Sequence, residues 1–365
     1  MVKEDGSVWA TGLNMFGQLA TGSRRGIESS FVLVVRRGAR CVAAGSGHSV
    51  VMQRDGSMWT AGRNTFGQLG DGSRTFKSSF YHIAASSVQT IAAGRYHSMM
   101  LKMDGSLWTT GSNFYGQLGD GSTTDRLTFA LVIYADVAAV SAGRDHSLVL
   151  KTDGSVWATG RNTHGQLGDA STISKSTFVK VIFGGGVAIA AGSYHSLVLK
   201  MDGSVWATGK NKHGQLGDGT KVAKTSFVQV ISVNSTAVPS ASGGRNGTLV
   251  LESSIEASSV FSDAQAVAAG SDHSLILKTD GSVWAAGWNN FGQLGDGSTA
   301  SRATFVMVVT SGVQIVAAGG AHSMVQKRDL SVWATGYNQY GQLGDGSTNS
   351  VHSFVRVEST STGAA

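Results

Sequence analysis

The sequence has very little of what marks several common protein classes. Its one cysteine, Cys41, has no partner for an internal disulfide, which excludes a disulfide scaffold. Its one proline, Pro239, and the lack of a strict glycine triplet exclude a collagen helix. No run of about 18 apolar residues is present, so no membrane-spanning helix is predicted. The start, MVKEDGSVWATG, lacks the apolar core of a signal peptide and assigns no compartment.

Charge is also scarce. Only 14% of the 365 residues are charged, against about 25% in average soluble proteins. The formal net charge of +6 permits a weak, salt-sensitive attraction to nucleic acid. The local basic cluster comprises Arg24, Arg25, Arg36, Arg37 and Arg40. No recognition helix accompanies it, so specific nucleic-acid binding is not expected.

The sequence is rich in glycine, with 50 residues, and it repeats. One tryptophan recurs every 49 or 50 residues apart from a single interval of 78, at Trp9, Trp59, Trp108, Trp157, Trp206, Trp284 and Trp333. The long interval places 29 extra residues near 235–263. Periods of 20–50 residues are typical of solenoids and propellers, in which each unit packs on its neighbours.

One unit, residues 139–187, predicts short strands joined by tight turns. HSLVLKT alternates apolar and polar residues, as a half-buried strand does. Asp153-Gly154 is a hairpin turn signal, and SVWATG is the next strand. No segment sustains a helical period. Four antiparallel strands in each of seven units predict an all-β, seven-bladed β-propeller forming a single domain over 1–365. The units are about 1–34, 35–83, 84–132, 133–181, 182–230, 264–308 and 309–358.

The repeated string A-A-G-x-x-H-S, followed by K-x-D-G-S-V-W-A-T-G and G-Q-L-G-D-G-S, resembles the regulator of chromosome condensation repeat. The resemblance covers roughly 1–230 and 264–358 and implies a seven-bladed propeller. The family includes a nucleotide exchange factor for the Ran GTPase, a plant UV-B photoreceptor and a bacterial β-lactamase inhibitor. What its members share is protein binding on a propeller face.

The chain departs from the family pattern in four places. Serine or threonine replaces the proline that the family carries before the last strand of each unit. The first unit begins only eight residues before Trp9, so its inner strand is missing. Residues 241–253 look like a decayed half-unit, and Leu330 replaces a turn glycine. A truncated gene, a thin first blade and a shifted blade count remain open explanations.

Most repeated polar residues are interpreted as structural. One histidine per unit cannot place several ligands about 2.0–2.1 Å from one zinc ion, because neighbouring sheets lie about 10 Å apart. We therefore interpret His48, His97, His146, His195, His273 and His322 as imidazoles that bond the backbone at the start of a strand. The D-G-S and G-D-G-S aspartates are interpreted as turn residues. No motif for a catalytic centre, metal or cofactor is present, and none is predicted.

Positions that vary between near-identical units are where a partner could be recognised. They lie at strand ends and loop starts, and several carry the residue types that dominate binding hot spots. The predicted partner-binding face comprises Arg63, Arg95, Tyr96, Arg144, Arg161, Tyr194, Trp288 and Tyr337. Drift on exposed loops is the alternative explanation of this variation.

The residue before each Gly-Gln-Leu is always a ring, which favours packing beneath the loop. These rings are Phe16, Phe66, Tyr115, His164, His213, Phe291 and Tyr340. Taken together, the sequence predicts a non-enzymatic module that binds a protein partner. Nucleotide exchange on a small Ras-like GTPase, or a role as a chromatin-associated regulator, is the alternative that the resemblance implies.

Overall fold

The computed structural model describes residues 1–24, 26–231 and 264–357, and its regular elements are β-strands. The fold is an all-β propeller whose blades are four-stranded antiparallel sheets. The irregular segment near 235–263 and Arg25 lie outside the described residues. Within the described ranges, no helix is long and apolar enough to cross a membrane.

The local sequence explains each hairpin. In the fourth unit the carboxylate of Asp153 accepts the Ser155 N–H at 2.8 Å, and Gly154 takes the positive φ that the turn requires. The Ser155 hydroxyl then accepts the indole N–H of Trp157 at 3.0 Å. The same set of bonds recurs in the other units. The D-G-S aspartates are therefore turn residues, as predicted.

The strands follow one another in chain order. The first sheet has two strands, β1 (Val8–Leu13) and β2 (Ile27–Val35). The next three sheets hold β3 (Ala39–Ala44), β4 (His48–Gln53), β5 (Met58–Gly62) and β6 (Lys77–Ala84); β7 (Val88–Ala93), β8 (His97–Lys102), β9 (Leu107–Gly111) and β10 (Arg126–Ile133); β11 (Val137–Ala142), β12 (His146–Lys151), β13 (Val156–Gly160) and β14 (Lys175–Ile182). The last three hold β15 (Gly186–Ala191), β16 (His195–Lys200), β17 (Val205–Gly209) and β18 (Lys224–Ile231); β19 (Ala264–Ala269), β20 (His273–Lys278), β21 (Val283–Gly287) and β22 (Arg302–Val309); β23 (Val313–Ala318), β24 (His322–Lys327), β25 (Val332–Gly336) and β26 (Val351–Val357).

Every four-stranded sheet pairs consecutive strands in an up-and-down order. The first strand of each sheet lines a central channel, and the fourth lies at the periphery. The G-x-x turns and the G-Q-L-G loops therefore share one end of the propeller, which we call the top face. The D-G turns share the opposite end, the bottom face.

Blades pack through apolar side chains on their facing surfaces. Trp108, for example, packs against the core that Val50, Met52 and Met58 of the preceding blade build. The equivalent tryptophans of other blades pack between blades in the same way. Cys41 is half-buried at the same core.

The serine or threonine that stands where the family has proline connects neighbouring blades. Asp71 forms a backbone bridge with Thr128 of the next blade, and equivalent bridges follow around the molecule. The bond of this bridge runs from the Gly72 N–H to the Leu127 C=O at 2.9 Å, so the N–H of Thr128 is not its donor. The last bridge joins Asp345 to Ser30, so the seventh sheet meets the first and the sheets form a ring.

The expectation of four strands per unit is met in six units, and the first unit lacks inner strands among the described residues, as expected from its start eight residues before Trp9. That unit contributes only β1 and β2, which correspond to the third and fourth strands of the other blades. Phe31 and Val357 pack together where the first sheet meets the last. The structure therefore has six complete blades and one thin blade among the described residues.

Candidate interaction face

The central channel opens on the top face into a cavity of about 850 Å³. Its rim carries the variable residues that follow the inner strands, among them Arg95 and Arg144. These two lie side by side, since the Arg95 N–H donates to the Arg144 C=O at 3.3 Å. Trp288 and Tyr337 line the same cavity from two other blades. The structure thus places four predicted site residues around one opening.

All eight predicted site residues lie on this face and are half-buried. Arg63 lies between two aromatic rings, with its guanidinium carbon 5.1 Å from the Phe16 ring centre and 4.8 Å from that of Tyr96. It also donates to the Tyr96 hydroxyl at 3.3 Å and to Thr65 at 3.0 Å. The guanidinium carbon of Arg95 also lies 4.6 Å from the ring centre of Tyr96. Stacking fixes these guanidinium groups while leaving part of each exposed.

A second cluster forms around Tyr194. The guanidinium carbons of Arg144 and Arg161 lie 5.0 and 5.3 Å from its ring centre, and the Lys210 ammonium lies at 5.4 Å. Asp145, which is buried, lies 3.5 Å from a nitrogen of each arginine and compensates part of their charge. The Arg144 Nε nevertheless has no hydrogen-bond partner in the described chain. The cluster is therefore cationic with one donor left unused.

The remaining part of the face is aromatic. The Trp288 ring centre lies 5.2 Å from that of Phe291, which in turn lies 4.7 Å from that of Tyr337. His213 and Tyr340 extend this series at 5.9 Å on either end. Edge and tilted geometries of this kind are favourable for aromatic pairs. The face therefore divides into a cationic part and an aromatic part.

The prediction that the rings before Gly-Gln-Leu pack beneath the loop is incomplete. Phe66, His164 and Phe291 stack directly on Tyr96, Tyr194 and Tyr337 of the face. Sequence reasoning assigned these rings to packing because their aromatic character is constant between units. A ring at this position in every unit is equally expected if the ring supports a variable residue of the next blade.

Lys210, Asp145 and Asp272 are also part of the face, although the prediction left them out. The Lys210 ammonium contacts the Asp272 carboxylate at 2.9 Å, and the same carboxylate oxygen accepts from Gln215 at 2.8 Å. The sequence could have identified all three, since each occupies one of the positions that vary between units. The prediction passed over them because it selected arginine and aromatic residues.

The repeated histidines occupy structural positions, but their partner differs from the expected backbone group. The Nε2 of His97 bonds the Ser147 hydroxyl of the next blade at 3.0 Å, and that hydroxyl donates to the Gln117 C=O at 2.7 Å. The imidazole must therefore donate from Nε2, which leaves Nδ1 buried without a partner. Burial lowers the pKa of His97 to about 4, and that of His146 to about 3. The rings stay neutral, which suits a structural link between blades.

The local basic cluster of the sequence does not form one patch. Arg24 lies at the top face, where its guanidinium carbon is 5.9 Å from the Phe76 ring centre. Arg36 and Arg37 follow β2 and lie at the bottom face. Arg24 is separated from Arg36 and Arg37 because β2 runs between them from the top face to the bottom face. Among the described residues, no group of three His, Cys, Asp or Glu side chains could hold a metal ion.

Comparison with known proteins agrees with this architecture. The RCC1-like domain model matches residues 1–250, and models of the regulator of chromosome condensation (RCC1) repeat match 264–293 and 280–326. Human WBSCR16 is 19% identical and superposes with a TM-score of 0.79 over 96% of this chain and 94% of its own. Prp20p of Saccharomyces cerevisiae is 20% identical, with a TM-score of 0.79 over 98% of this chain and 86% of its own. At these identities the two structures are evidence of a shared fold. The match over most of its length shows that this chain belongs to the family of RCC1-like domains.

Proposed function

We propose that this chain is a non-enzymatic protein-interaction module that binds an acidic protein surface through its top face. The observation that carries the proposal is the charge of the face. Five cations (Arg63, Arg95, Arg144, Arg161 and Lys210) lie beside two carboxylates. Arg63 and Arg95 contact rings and hydroxyls, with no carboxylate within ion-pair distance in the described structure.

The physical state of these side chains supports binding. An arginine held between rings loses little conformational freedom when it meets a carboxylate, and partly desolvated arginine, tyrosine and tryptophan are typical hot-spot residues. The channel mouth adds a concave centre between the cationic and aromatic parts. An acidic loop with an apolar or aromatic tip would fit both parts together.

The test compares two triple variants in quantitative affinity capture from source cells. In the first, Arg95→Ala, Tyr96→Ala and Arg144→Ala remove the centre of the top face. In the matched control, Tyr134→Ala, Lys180→Ala and Phe183→Ala remove two exposed rings and one half-buried cation at the bottom face, where Tyr134 is 83% and Phe183 is 82% exposed.

We expect a partner that wild type and the control retain and that the top-face variant loses at least tenfold, with the Tm of both variants within a few degrees of wild type. A partner retained equally by the top-face variant would contradict the proposal. A fluorescent GDP-release assay on the captured protein addresses the alternative, nucleotide exchange on a small GTPase. Such exchange would call for an acidic, polar face able to displace magnesium, and the cations named above argue against it.

A further inference from the structure

Three aromatic side chains at the junction of the sixth and seventh blades line the central cavity from inclined planes. Trp288 and Phe291 follow β21, and Tyr337 follows β25. The ring planes of Trp288 and Phe291 are inclined by 78°, and those of Phe291 and Tyr337 by 56°. The three rings therefore form adjoining walls and not one flat stack. We call them the aromatic corner.

Two small residues of the seventh blade keep a recess open at this corner. In the third and fifth blades the last residue of the G-x-x turn is Tyr96 or Tyr194, and its ring lies 5.0 or 5.1 Å from the ring before Gly-Gln-Leu of the preceding blade. In the seventh blade the corresponding residues are Gly320 and Ala321, and both line the cavity. Ala321 has no ring to place on Phe291. The recess therefore follows from the identity of two turn residues.

The rings of the aromatic corner also lack the cation that other rings of the top face carry. Guanidinium carbons lie 4.6, 4.7 and 5.0 Å from the ring centres of Tyr96, Tyr115 and Tyr194. Within the described ranges, no lysine or arginine lies over any ring of the corner. The negative face of an aromatic ring attracts a cation, and tryptophan does so most strongly. The corner is therefore suited to a cation that comes from outside the chain.

The charge beside the corner is balanced, so a bound cation meets little repulsion there. The Lys210 ammonium lies 2.9 Å from the Asp272 carboxylate, and the Trp288 N–H donates to the Asp272 C=O at 2.8 Å. Only Oδ1 of this carboxylate is bonded in the described chain, by Lys210 and Gln215. The His213 ring centre lies 5.9 Å from that of Trp288, and burial lowers the pKa of this histidine, so its ring is neutral at pH 7.

We propose that the aromatic corner binds a trimethylated lysine of the acidic partner, with the quaternary ammonium against Trp288, Phe291 and Tyr337. An unmodified lysine ammonium is strongly hydrated and has three N–H donors, for which ring faces are poor acceptors. Trimethylation removes these donors and keeps the charge, so cation–π attraction and apolar contact act together. The methylated side chain takes the place of the apolar tip, beside the acidic residues that the cationic part binds. The inference rests on the proposed function, because it names the group that the same partner places on the aromatic part.

The probe is a fluorescent peptide, Gly-Asp-Glu-Lys-Ala-Gly, in three forms. The lysine is unmodified, trimethylated, or replaced by an uncharged analogue with a tert-butyl group in place of the trimethylammonium group. We expect fluorescence anisotropy to show that the trimethylated form binds the full chain about tenfold more tightly than either of the others. Equal binding of the trimethylated and tert-butyl forms overturns the proposal, because apolar contact alone would then explain the affinity. Absence of saturable binding, or equal binding of the unmodified form, overturns it as well.

Chain variants locate the binding. Trp288→Arg removes one wall and suits the fold, because arginine occupies the equivalent position at Arg63 and Arg161. It should weaken binding of the trimethylated form about tenfold, whereas Trp288→Phe should retain most of the affinity. Ala321→Tyr should also weaken binding, because the new ring fills the recess. Tyr134→Arg, at an exposed position of the bottom face, should leave binding unchanged. Unchanged binding to the Trp288→Arg variant contradicts the proposal.

Two further measurements separate this inference from a lipid source of the same group and from the proposed function. Phosphatidylcholine vesicles carry a trimethylammonium group and should not sediment with the chain. Vesicle binding in place of peptide binding overturns the proposal. If affinity capture finds a partner that the variant with Arg95→Ala, Tyr96→Ala and Arg144→Ala loses, while the three peptides bind equally, the proposed function stands and the assignment of the aromatic corner fails.

Discussion

At the scale of single residues, the buried imidazoles couple stability to pH. Burial lowers the pKa of His48, His146, His195 and His273 to about 3 and that of His97 to about 4, from an ordinary value near 6.5. The folded chain keeps these rings neutral while the unfolded chain protonates them below pH 6.5. Their contribution is therefore complete above pH 6.5 and is lost as pH falls toward about 4.

We expect the free energy of unfolding to fall by about 2 kcal/mol per buried imidazole between pH 7 and pH 5. Urea unfolding at the two pH values measures the change. His97→Gln should reduce the pH dependence by about one proton. An unchanged dependence in that variant would contradict the assignment. Several aspartates also have a lowered pKa, but their ordinary value near 3.8 places their effect at lower pH.

At the scale of elements, one turn of the D-G type is strained because it carries Leu330 in place of glycine. Leu330 has φ of 65°, a region that costs a side chain about 1–2 kcal/mol, where other units have glycine. It is 47% exposed, so little apolar burial compensates. The sequence correctly identified this position as a departure from the repeat, because turn geometry depends on local residue identity.

Leu330→Gly should therefore stabilise the chain by about 0.5–1 kcal/mol, the gain in backbone strain being partly offset by the flexibility of glycine in the unfolded chain. Urea unfolding measures the change. The reverse change at the equivalent turn, Gly281→Ala, is the control. It should destabilise, because the added Cβ would lie 2.7 Å from the Gly312 nitrogen. A destabilised Leu330→Gly variant would show that the turn is not strained.

At the scale of the whole molecule, the described first and last sheets are joined by contacts of the kind found at the other blade junctions. Thr11 Oγ1 donates to the C=O groups of Glu28 and Gly341, and so ties both strands of the first sheet to the last blade. Phe31 is buried beside Gly344, where a Cβ would lie 2.4 Å from its ring. Among the described residues, these contacts join the thin blade to the last blade.

Phe31→Ala should cost about 3–5 kcal/mol, as large core truncations do, and should release the first sheet. Hydrogen–deuterium exchange should then accelerate in β1 and β2 more than elsewhere. Phe178→Ala is the matched control, since Phe178 packs in the same way beside Gly119 inside the ring. It should leave exchange in β1 and β2 unchanged. Uniform acceleration in both variants would mean that the ring unfolds as one cooperative unit.

The repeat itself determined the strands, the turns and the propeller class. Tight turns depend on neighbouring residues such as Asp153 and Gly154, and a 49-residue period demands stacked units. The same comparison between units named eight residues that the structure places on one face, because variation at fixed register marks loop ends on one side of a sheet, but it left out Lys210, Asp145 and Asp272.

Only the tertiary structure decided how those residues meet. Tyr96 and Arg63 belong to different blades, and their stacking depends on how closely adjacent sheets approach. The split of the arginine cluster depends on β2 crossing its blade, and the junction of the first and last sheets depends on contacts such as the one between Thr11 and Gly341. These are contacts between residues far apart in the chain, so they follow from the packing of blades and not from the local pattern within a repeat.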